Sequence, residues 1–483
     1  MDFHGHQGEV DVQQLRIALR RAGEGRSKQA EPTSTTGKRI QTPKERGFWL
    51  VIQCVSGFCG ILGVGIWIFG AFASDELSRQ ERLARIEGVP LTPNDIILPP
   101  VPASQDAAPL YRKSFELTQG IRLNDPEVPS SASVWWPTVY ERSRWETCRP
   151  YLVSAANLAY CRLVSPAASD AERSLVEKKV SVLFKLLSGT ARWREIRGDL
   201  PGAMDEYKLK AKVIRNLTES GNSRQLNLSA YRYWGTLLVQ LMGLAARHPE
   251  SRETIAGIDQ AMAALGPFPN AMDQIRPELV FDRQQMMQYR SQGGCYDDEC
   301  SSSGLGSFAI STSWVSRSLD ACQIGANRIL MSRMPKDSED VVGIRAAADA
   351  ASNWAADQHM PLESLYSAPV ETGSGYFSLV GSSLARYRML KCATRLLSSG
   401  KPFPIVLPRW GKDSTDPFTN LPLRYHKTEK GFVLFSVGAN GVEDTDEVGS
   451  SSGDDIAFVV PPIKKPDTLT PPSPPRRVLY SDD

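Results

Sequence analysis

FWLVIQCVSGFCGILGVGIWIFGAF, at residues 48–72, decides how the chain is organised, because none of these 25 residues carries a charge. A helix rises about 1.5 Å per residue, so this length crosses the roughly 30 Å hydrocarbon layer of a bilayer with some tilt. A secretory signal has a shorter apolar core and lies nearer the N-terminus. The stretch therefore predicts a single transmembrane helix over residues 48–72.

The charges on the two sides of this segment predict its orientation. Four basic residues precede it and two acidic residues follow it: Lys38, Arg39, Lys44 and Arg46, then Asp75 and Glu76. Basic residues are retained on the cytoplasmic side of a membrane. We therefore expect residues 1–47 in the cytoplasm and the chain from residue 75 onwards on the outer side.

The overall composition limits the classes of function. The chain has 56 basic and 54 acidic residues and a net charge of only +2, which gives no electrostatic case for binding nucleic acid. The outer part holds about 400 residues, enough for two or three domains with hydrophobic cores. The predicted partner is therefore the lipid bilayer, together with other proteins of the same compartment.

Cysteine usage predicts an oxidising compartment for the outer part. Two of the eight cysteines, Cys54 and Cys59, lie in the transmembrane segment, and the other six follow it. An even number of cysteines outside the cytoplasm suggests disulfides, although six cysteines allow 15 pairings. Sequence proximity favours three pairs: Cys148–Cys161, Cys295–Cys300 and Cys322–Cys392.

Periodicity after the membrane segment predicts a mainly α fold with a small β region. Helical spacing dominates residues 105–290, and five prolines after Gly400 forbid a long helix there. Three short β-rich runs follow: LRYHK, GFVLFSV and IAFVV. The predicted segments are a mostly disordered cytoplasmic piece (1–47), the transmembrane helix (48–72), a juxtamembrane helix with a Pro-rich linker (73–104), a helical ectodomain (105–290), a Gly/Ser/Cys loop (291–313), a helical continuation (314–399), the β region (400–460) and a disordered Pro-rich tail (461–483).

The β region resembles the globular part of type II secretion pseudopilins. SSGKPFP at 398–404 is similar to the Gly-x-Pro-Phe-Pro stretch that follows the pilin helix. DPFTNLPLRY at 416–425 resembles the Asp-Pro-(aromatic)-Gly-x-Pro-x-x-Tyr element of that family, and FSVGANG at 435–441 with GDDI at 453–456 resembles its closing loop. The resemblance implies a link to a secretion or pilus-like system.

The resemblance also implies a calcium site, because the closing loop of pseudopilins binds this ion. Calcium takes six to eight oxygen ligands from carboxylates and loop carbonyls. Asn440 stands where the family has Asp, which removes one charge and is expected to weaken binding. The alternative is a solvated acidic surface loop. The candidate ligands are Val437, Asn440, Asp444, Asp446, Asp454 and Asp455.

RGFWLVI at 46–52 is similar to the processing site of pilins, but the position of the family's essential glutamate is occupied by Ile52. We therefore expect an uncleaved anchor. The order of AAPLYRKSFEL, RGDLPGAMDEY and the C-terminal region resembles anchored, uncharacterised proteins of planctomycete-type bacteria, which implies the bacterial inner membrane with the C-terminal part in the periplasm. GDLPGAMDEY at 198–207 also resembles a tetratricopeptide helix junction; an ordinary helical hairpin is the alternative.

The sequence has neither a Walker phosphate loop nor His-Glu-x-x-His, and its one Gly-x-Ser-x-Gly match, GSSSG at 449–453, lies in a Ser-rich acidic loop. An aromatic cluster at 133–145 belongs either to the core or to a partner surface. We therefore predict a non-enzymatic, membrane-anchored periplasmic scaffold or interaction protein without assigned catalytic residues. The alternative is an envelope hydrolase whose site forms only in three dimensions. The aromatic residues in question are Trp135, Trp136, Tyr140 and Trp145.

Overall fold

The computed structural model describes ten α-helices and three β-strands. The described residues are 43–96, 101–119, 139–164, 168, 170–219, 224–269, 275–276, 279–280, 283–284, 287, 313–357, 367–443 and 455–461. The helices are α1 (Pro43–Ile86), α2 (Ala108–Leu117), α3 (Val139–Ala156), α4 (Asp170–Ile196), α5 (Leu200–Glu219), α6 (Arg224–Arg247), α7 (Arg252–Leu265), α8 (Ser313–Arg333), α9 (Val341–Asp357) and α10 (Ser367–Ser398). The mainly α fold predicted from periodicity is confirmed.

Helix α1 contains the apolar segment and continues beyond it. In the described chain, Cys54–Ile86 is the one stretch long and apolar enough to cross a membrane, judged by length and composition. Two hydrogen bonds cap the C-terminal end of the helix: Val89 N donates to Ala84 O (2.8 Å), and Gly88 N donates to Arg85 O (3.3 Å). Gly88 has a φ of 70°, which glycine adopts without steric cost. The juxtamembrane helix predicted after residue 72 is therefore the last part of α1, which ends at Ile86.

Helices α4 and α5 form the hairpin on which the tetratricopeptide resemblance rests. Gly198, with a φ of 79°, makes the turn. Asp199 Oδ1 accepts a hydrogen bond from Gly202 N (2.9 Å) and so caps the start of α5. Ala203 and Tyr207 are buried, at 0% and 1% exposure. These contacts describe a single pair of helices. Such a pair occurs both in an ordinary helical hairpin and in a tetratricopeptide unit, so both alternatives stay open.

The main core lies around α5, which packs against α3, α4, α6 and α7. Helix α10 covers α6 and α7, and it connects this group to the hairpin of α8 and α9. Aromatic contacts fix the packing of α4 and α6: the rings of Phe184 and Tyr233 stack with centroids 3.9 Å apart. Trp234 contacts Phe268 edge-on at 5.4 Å. This core positions α6 and α10 to receive the sheet.

The sheet has the order β1-β2-β3 and is antiparallel throughout, with β1 at Arg424–Lys427, β2 at Phe432–Ser436 and β3 at Ile456–Val460. Its central strand is buried over its whole length. Strand β3 packs against α6 and α10. The three predicted strands are thus confirmed, and they extend the helical core through Phe432, Leu434 and Phe458.

By internal contacts the chain divides into two units, Met1–Ile66 and Trp67–Asp483. Helix α1 contributes residues to both units. The helices from α2 to α10 and the sheet all belong to the second unit, together with residues 67–96. The site described below lies entirely within this second unit.

Candidate functional site

The surface of α1 changes character between two neighbouring residues. Large apolar side chains are exposed up to Phe72, which is 70% exposed, whereas Ala73 is only 6% exposed. From Ala73 onwards the helix is packed against the rest of the second unit. We call the contact region formed by residues 73–91 with α8 and Arg283 the junction. The exposed apolar side chains before it are Val55, Phe58, Ile61, Val64, Trp67, Ile68, Phe69 and Phe72.

The junction has a small apolar centre of its own. Ala84, Val89 and Leu91 pack against Ile324 of α8, and all four are buried. Met331 contacts this cluster from the next turns of α8. The residues predicted to belong to a juxtamembrane helix and linker therefore contribute to a core, because the Gly88 turn folds Val89 and Leu91 back towards α8.

Arg328 of α8 supplies the main polar contact of the junction. Its Nε donates to Glu87 Oε2 at 2.8 Å, its Nη2 donates to Glu87 Oε1, and its Nη1 donates to Gln80 Oε1 at 2.7 Å. A guanidinium that binds a carboxylate in this bidentate way fixes both the distance between the two groups and their relative orientation. Gln80 is only 1% exposed and needs this donor, because a buried amide oxygen without a partner is destabilising.

Two further arginines hold the same face of α1. Arg283 donates to Glu81 Oε1 (2.8 Å) and to the Leu91 carbonyl (3.1 Å). Arg317 donates to the hydroxyl of Ser74. The arrangement provides mechanical attachment, since all three guanidinium groups bind side chains or carbonyls of residues 74–91. Sequence reasoning missed it, because Arg328 and Glu87 are separated by 241 positions and nothing local pairs them.

A second polar cluster lies inside the helical core, where Lys210 of α5 meets α4 and α6. Its Nζ donates to Ser188 Oγ (2.8 Å) and to Gln240 Oε1 (2.9 Å). Lys210 is 1% exposed, and burial lowers the pKa of its ammonium group to about 7. The sequence carried a signal for this residue: Lys210 falls on the buried α5 stripe of Ala203, Tyr207, Ile214 and Leu217.

A buried lysine beside a serine is also the geometry of a hydrolytic Ser-Lys pair, which bears on the hydrolase alternative. Ser188, however, lies in the middle of α4, and its hydroxyl donates to the Phe184 carbonyl at 2.7 Å. The backbone N–H groups of a helix interior are bonded within the helix and offer no oxyanion donors. We therefore interpret this cluster as a structural contact of three helices.

Two buried glutamates near the ends of α4 and α5 also have structural partners. Burial raises the pKa of Glu206, and Arg149 at 2.8 Å only partly offsets this effect. Burial acts in the same direction on Glu195, but bonds from Arg247 and Arg192, both at 2.6 Å, outweigh it and lower the pKa. The carboxylate of Glu195 is therefore paired with two guanidinium groups, whereas Glu206 Oε2 is buried without a hydrogen-bond partner in the described chain.

The Asp-Pro element in the β region is organised by Asp416, which is 2% exposed. Its carboxylate accepts hydrogen bonds from Phe418 N (2.9 Å), Val437 N (2.9 Å) and Ser436 Oγ (3.0 Å). Burial raises the pKa of Asp416, and these donors oppose the shift. Asn420 takes a φ of 58° at the end of this turn. The element thus ties the turn to the end of β2.

The predicted calcium ligands fall only partly within the described chain. Asp444, Asp446 and Asp454 lie outside the described residues. Asn440 Oδ1 accepts from Val442 N at 2.7 Å, and Asp455 is 8% exposed. Across the described ranges, no group of three or more His, Cys, Asp or Glu side chains is arranged to hold a metal ion. Calcium binding therefore stays a prediction that rests on the loop from Val437 to Asp455.

The cysteine prediction is corrected by the structure for four residues. Cys148, Cys161, Cys322 and Cys392 are buried and form no disulfide in the described chain, so the pairs Cys148–Cys161 and Cys322–Cys392 are wrong. Each thiol has its own environment: Cys148 Sγ donates to Ser114 O (3.8 Å), and Cys392 Sγ donates to Asp413 O (3.1 Å). Burial raises the pKa of both, to about 11 and about 12. The remaining pair, Cys295 and Cys300, lies outside the described residues.

The structure describes the side chain of only one member of the aromatic cluster at 133–145. Trp145 is 1% exposed and belongs to the core, so it is not part of a partner surface. Trp135 and Trp136 lie outside the described residues, and only the backbone of Tyr140 is described, as part of α3. The partner-surface interpretation therefore stays a prediction for these three residues.

Comparisons with known protein families, with curated proteins and with solved structures found no match. The resemblances to pseudopilins, tetratricopeptide units and planctomycete-type membrane proteins accordingly remain predictions from the motifs quoted above.

Proposed function

We propose that the chain is a single-pass scaffold protein of the bacterial inner membrane, with its N-terminus in the cytoplasm and its helical domain in the periplasm. The apolar segment of α1 supports the anchor, and the charges of Lys44 and Arg46 before it and of Asp75 and Glu76 after it support the orientation. The scaffold holds an envelope protein close to the membrane and carries out no reaction of its own.

The junction is the observation that carries this proposal. A domain that only needs an anchor can hang from a flexible linker, but here α1 continues beyond Phe72 and is held by Arg328, Arg283 and Arg317. Several charge-assisted contacts on one helix face restrict the angle between α1 and α8. Such a restriction suits a protein whose task is to present a surface in a defined position.

The polar groups of the core support a non-enzymatic role. Lys210 and Glu195 each bind side chains of neighbouring helices, and these bonds use the groups that a hydrolase needs for substrate. The C-terminal region supports a more specific partner. A long helix, the Asp416 turn and three antiparallel strands occur in the order expected from the pseudopilin resemblance, which favours a component of a secretion or pilus-like system.

Site-specific photocrosslinking in cells tests the proposal. A photoreactive amino acid replaces Val406 or Leu421, which lie in the β region and are 75% and 55% exposed. We expect each probe to capture the same few envelope proteins, and a probe at buried Leu434 serves as the matched control. Absence of discrete adducts at both exposed positions in the native host would contradict the scaffold role.

Protease treatment of spheroplasts tests the orientation separately. We expect added protease to degrade the chain beyond residue 75 while a tag at residue 1 stays intact. Degradation of the tag with protection of the helical domain would reverse the topology.

A further inference from the structure

The contacts of the junction fix the register between α1 and α8. Ser74 binds Arg317, whereas Gln80 and Glu87 bind Arg328. Residue numbers increase together along the two helices, so the outer half of α1 and α8 run in the same direction. The first turn of α8, which begins at Ser313, therefore lies at the end of α8 nearest to Phe72.

This register places Arg317 at a definite level along α1. Ser74 lies two residues beyond Phe72, which corresponds to roughly 3 Å along the helix axis. Phe72 ends the run of exposed apolar side chains that begins at Val55, and Ala73 is already buried. If the exposed side chains up to Phe72 lie in hydrocarbon, Arg317 lies where the phosphate groups of the outer leaflet begin.

Arg317 is chemically suited to this level. Its side chain is exposed, and one of its donors binds Ser74, which leaves further N–H groups of the guanidinium directed to the surroundings. Guanidinium groups bind phosphate oxygens through paired hydrogen bonds and are common at the membrane interface. Neither Lys nor a neutral side chain offers the same planar set of donors.

We propose that Arg317 binds phospholipid phosphate and that the first turn of α8 lies within the headgroup layer. This inference rests on the proposed membrane anchorage, and it adds a second contact with the bilayer formed by the helical domain itself. The domain then lies directly on the membrane surface instead of standing above it on a stalk.

Depth-dependent fluorescence quenching tests the proposal in the full-length protein. The protein is placed in nanodiscs of equal parts phosphatidylcholine and phosphatidylglycerol, with Cys54 and Cys59 changed to Ala. A fluorophore is attached at Ser318→Cys, next to Arg317, or at Ser332→Cys, which lies about 21 Å further along the same helix. A variant without the added cysteine measures labelling at other thiols.

We expect a headgroup-attached nitroxide lipid to quench the label at residue 318 several-fold more strongly than the label at residue 332. Adding Arg317→Glu to the Ser318→Cys variant is expected to reduce this quenching, while Arg333→Glu in the same background leaves it unchanged. Equal quenching at residues 318 and 332, or no effect of Arg317→Glu, overturns the proposal.

Alkaline extraction of membranes separates this failure from failure of the proposed function. If the chain resists extraction but residue 318 is not quenched, the anchor holds and only the headgroup contact is wrong. If alkali releases the chain, the membrane anchorage is wrong and the lipid contact falls with it.

Discussion

Lys210 and Arg328 each join separate helices through a cation, but they do so in opposite ways. Lys210 is enclosed by neutral partners, Ser188 and Gln240, and its pKa is lowered to about 7. Arg328 binds the carboxylate of Glu87, with a side chain that is 16% exposed. Burial lowers the pKa of Lys210, which has no carboxylate partner, whereas the guanidinium of Arg328 is less buried and is paired with a carboxylate.

The contacts of Lys210 and Arg328 also have different structural roles. Three helices of one core meet at Lys210, whose two hydrogen bonds, to Ser188 and Gln240, form without an ion pair. At the junction, by contrast, a permanent charge fixes the orientation of α1 against α8 through bonds of defined geometry. A core contact can tolerate loss of charge, whereas a positioning contact depends on it.

The largest expected effect is a pH dependence that belongs to Lys210. Its pKa is about 7 in the folded chain and 10.5 for a lysine exposed to water, so below pH 10.5 the unfolded chain takes up the proton first. The free energy of unfolding therefore falls from pH 10.5 to pH 7 and levels off below. The slope is about 1.4 kcal/mol per pH unit, or about 5 kcal/mol over the window.

Lys210→Met should remove this slope, so the difference in unfolding free energy between wild type and variant changes with pH. Urea unfolding of the detergent-solubilised full chain at several pH values measures it. Lys208→Met, on the same helix at a half-buried position, is the matched control and should keep the slope. A difference that does not vary with pH would show that Lys210 is charged in the folded chain.

Arg328→Ala should cost about 3 kcal/mol, because it leaves Glu87 and buried Gln80 without their donor. Arg328→Lys should recover only part of the loss, since an ammonium cannot make the two-pronged contact. Hydrogen exchange of residues 73–86 measures the effect locally, as faster exchange of the outer half of α1. Arg333→Ala, at an exposed position on the same helix, should leave the exchange rate of residues 73–86 unchanged. Equal exchange rates in both variants would show that Arg328 does not hold these residues against α8.

Asp416→Ala extends the comparison to a buried carboxylate that is held by three neutral donors. The substitution removes the acceptor for Phe418 N, Val437 N and Ser436 Oγ, and we expect a loss of about 2 kcal/mol. Thermal unfolding measures it. Asp413→Ala, whose carboxylate binds Lys391 and Arg395 nearer the surface, should cost less. A larger loss at Asp413 would place the stabilising contact outside the turn.

The smallest effect concerns the buried thiols, whose pKa values are raised by burial just as that of Lys210 is lowered by it. Cys148, Cys161, Cys322 and Cys392 should not react with an alkylating reagent in the native protein at pH 8, and all four should react in denaturant. Mass spectrometry without reductant measures the alkylation of each cysteine in the native and in the denatured protein. Recovery of a Cys148–Cys161 peptide linked by a disulfide would restore the pairing expected from sequence proximity.

Local sequence patterns predicted the elements well but not the contacts between distant ones. The apolar run of 48–72, the break at Gly198 and the prolines after Gly400 each act on their own neighbourhood, and α1, the α4–α5 hairpin and the start of the β region follow from them. The charged helix after Phe72 was interpreted as a juxtamembrane segment with a linker. Its attachment to α8 depends on partners more than 200 positions away.

The cysteines show a second limit. Proximity in sequence suggested Cys148 with Cys161, but helix α3 directs Cys148 towards Ser114 of α2, and the pairing is not made. Lys210 shows the reverse: its place on the buried α5 stripe was readable from spacing, yet its charge state depends on side chains of α4 and α6. Periodicity predicts burial, while the chemistry of a buried group depends on tertiary neighbours.

The long sequence separation within the junction has a consequence for biosynthesis. Arg328 is made 241 residues after Glu87, a delay of roughly 10–50 s at common rates of translation. Throughout this interval the outer half of α1 has left the ribosome without the helix that later covers Ala84 and Gln80. A nascent chain therefore presents this face to its surroundings, and to any chaperone there, before α8 is made.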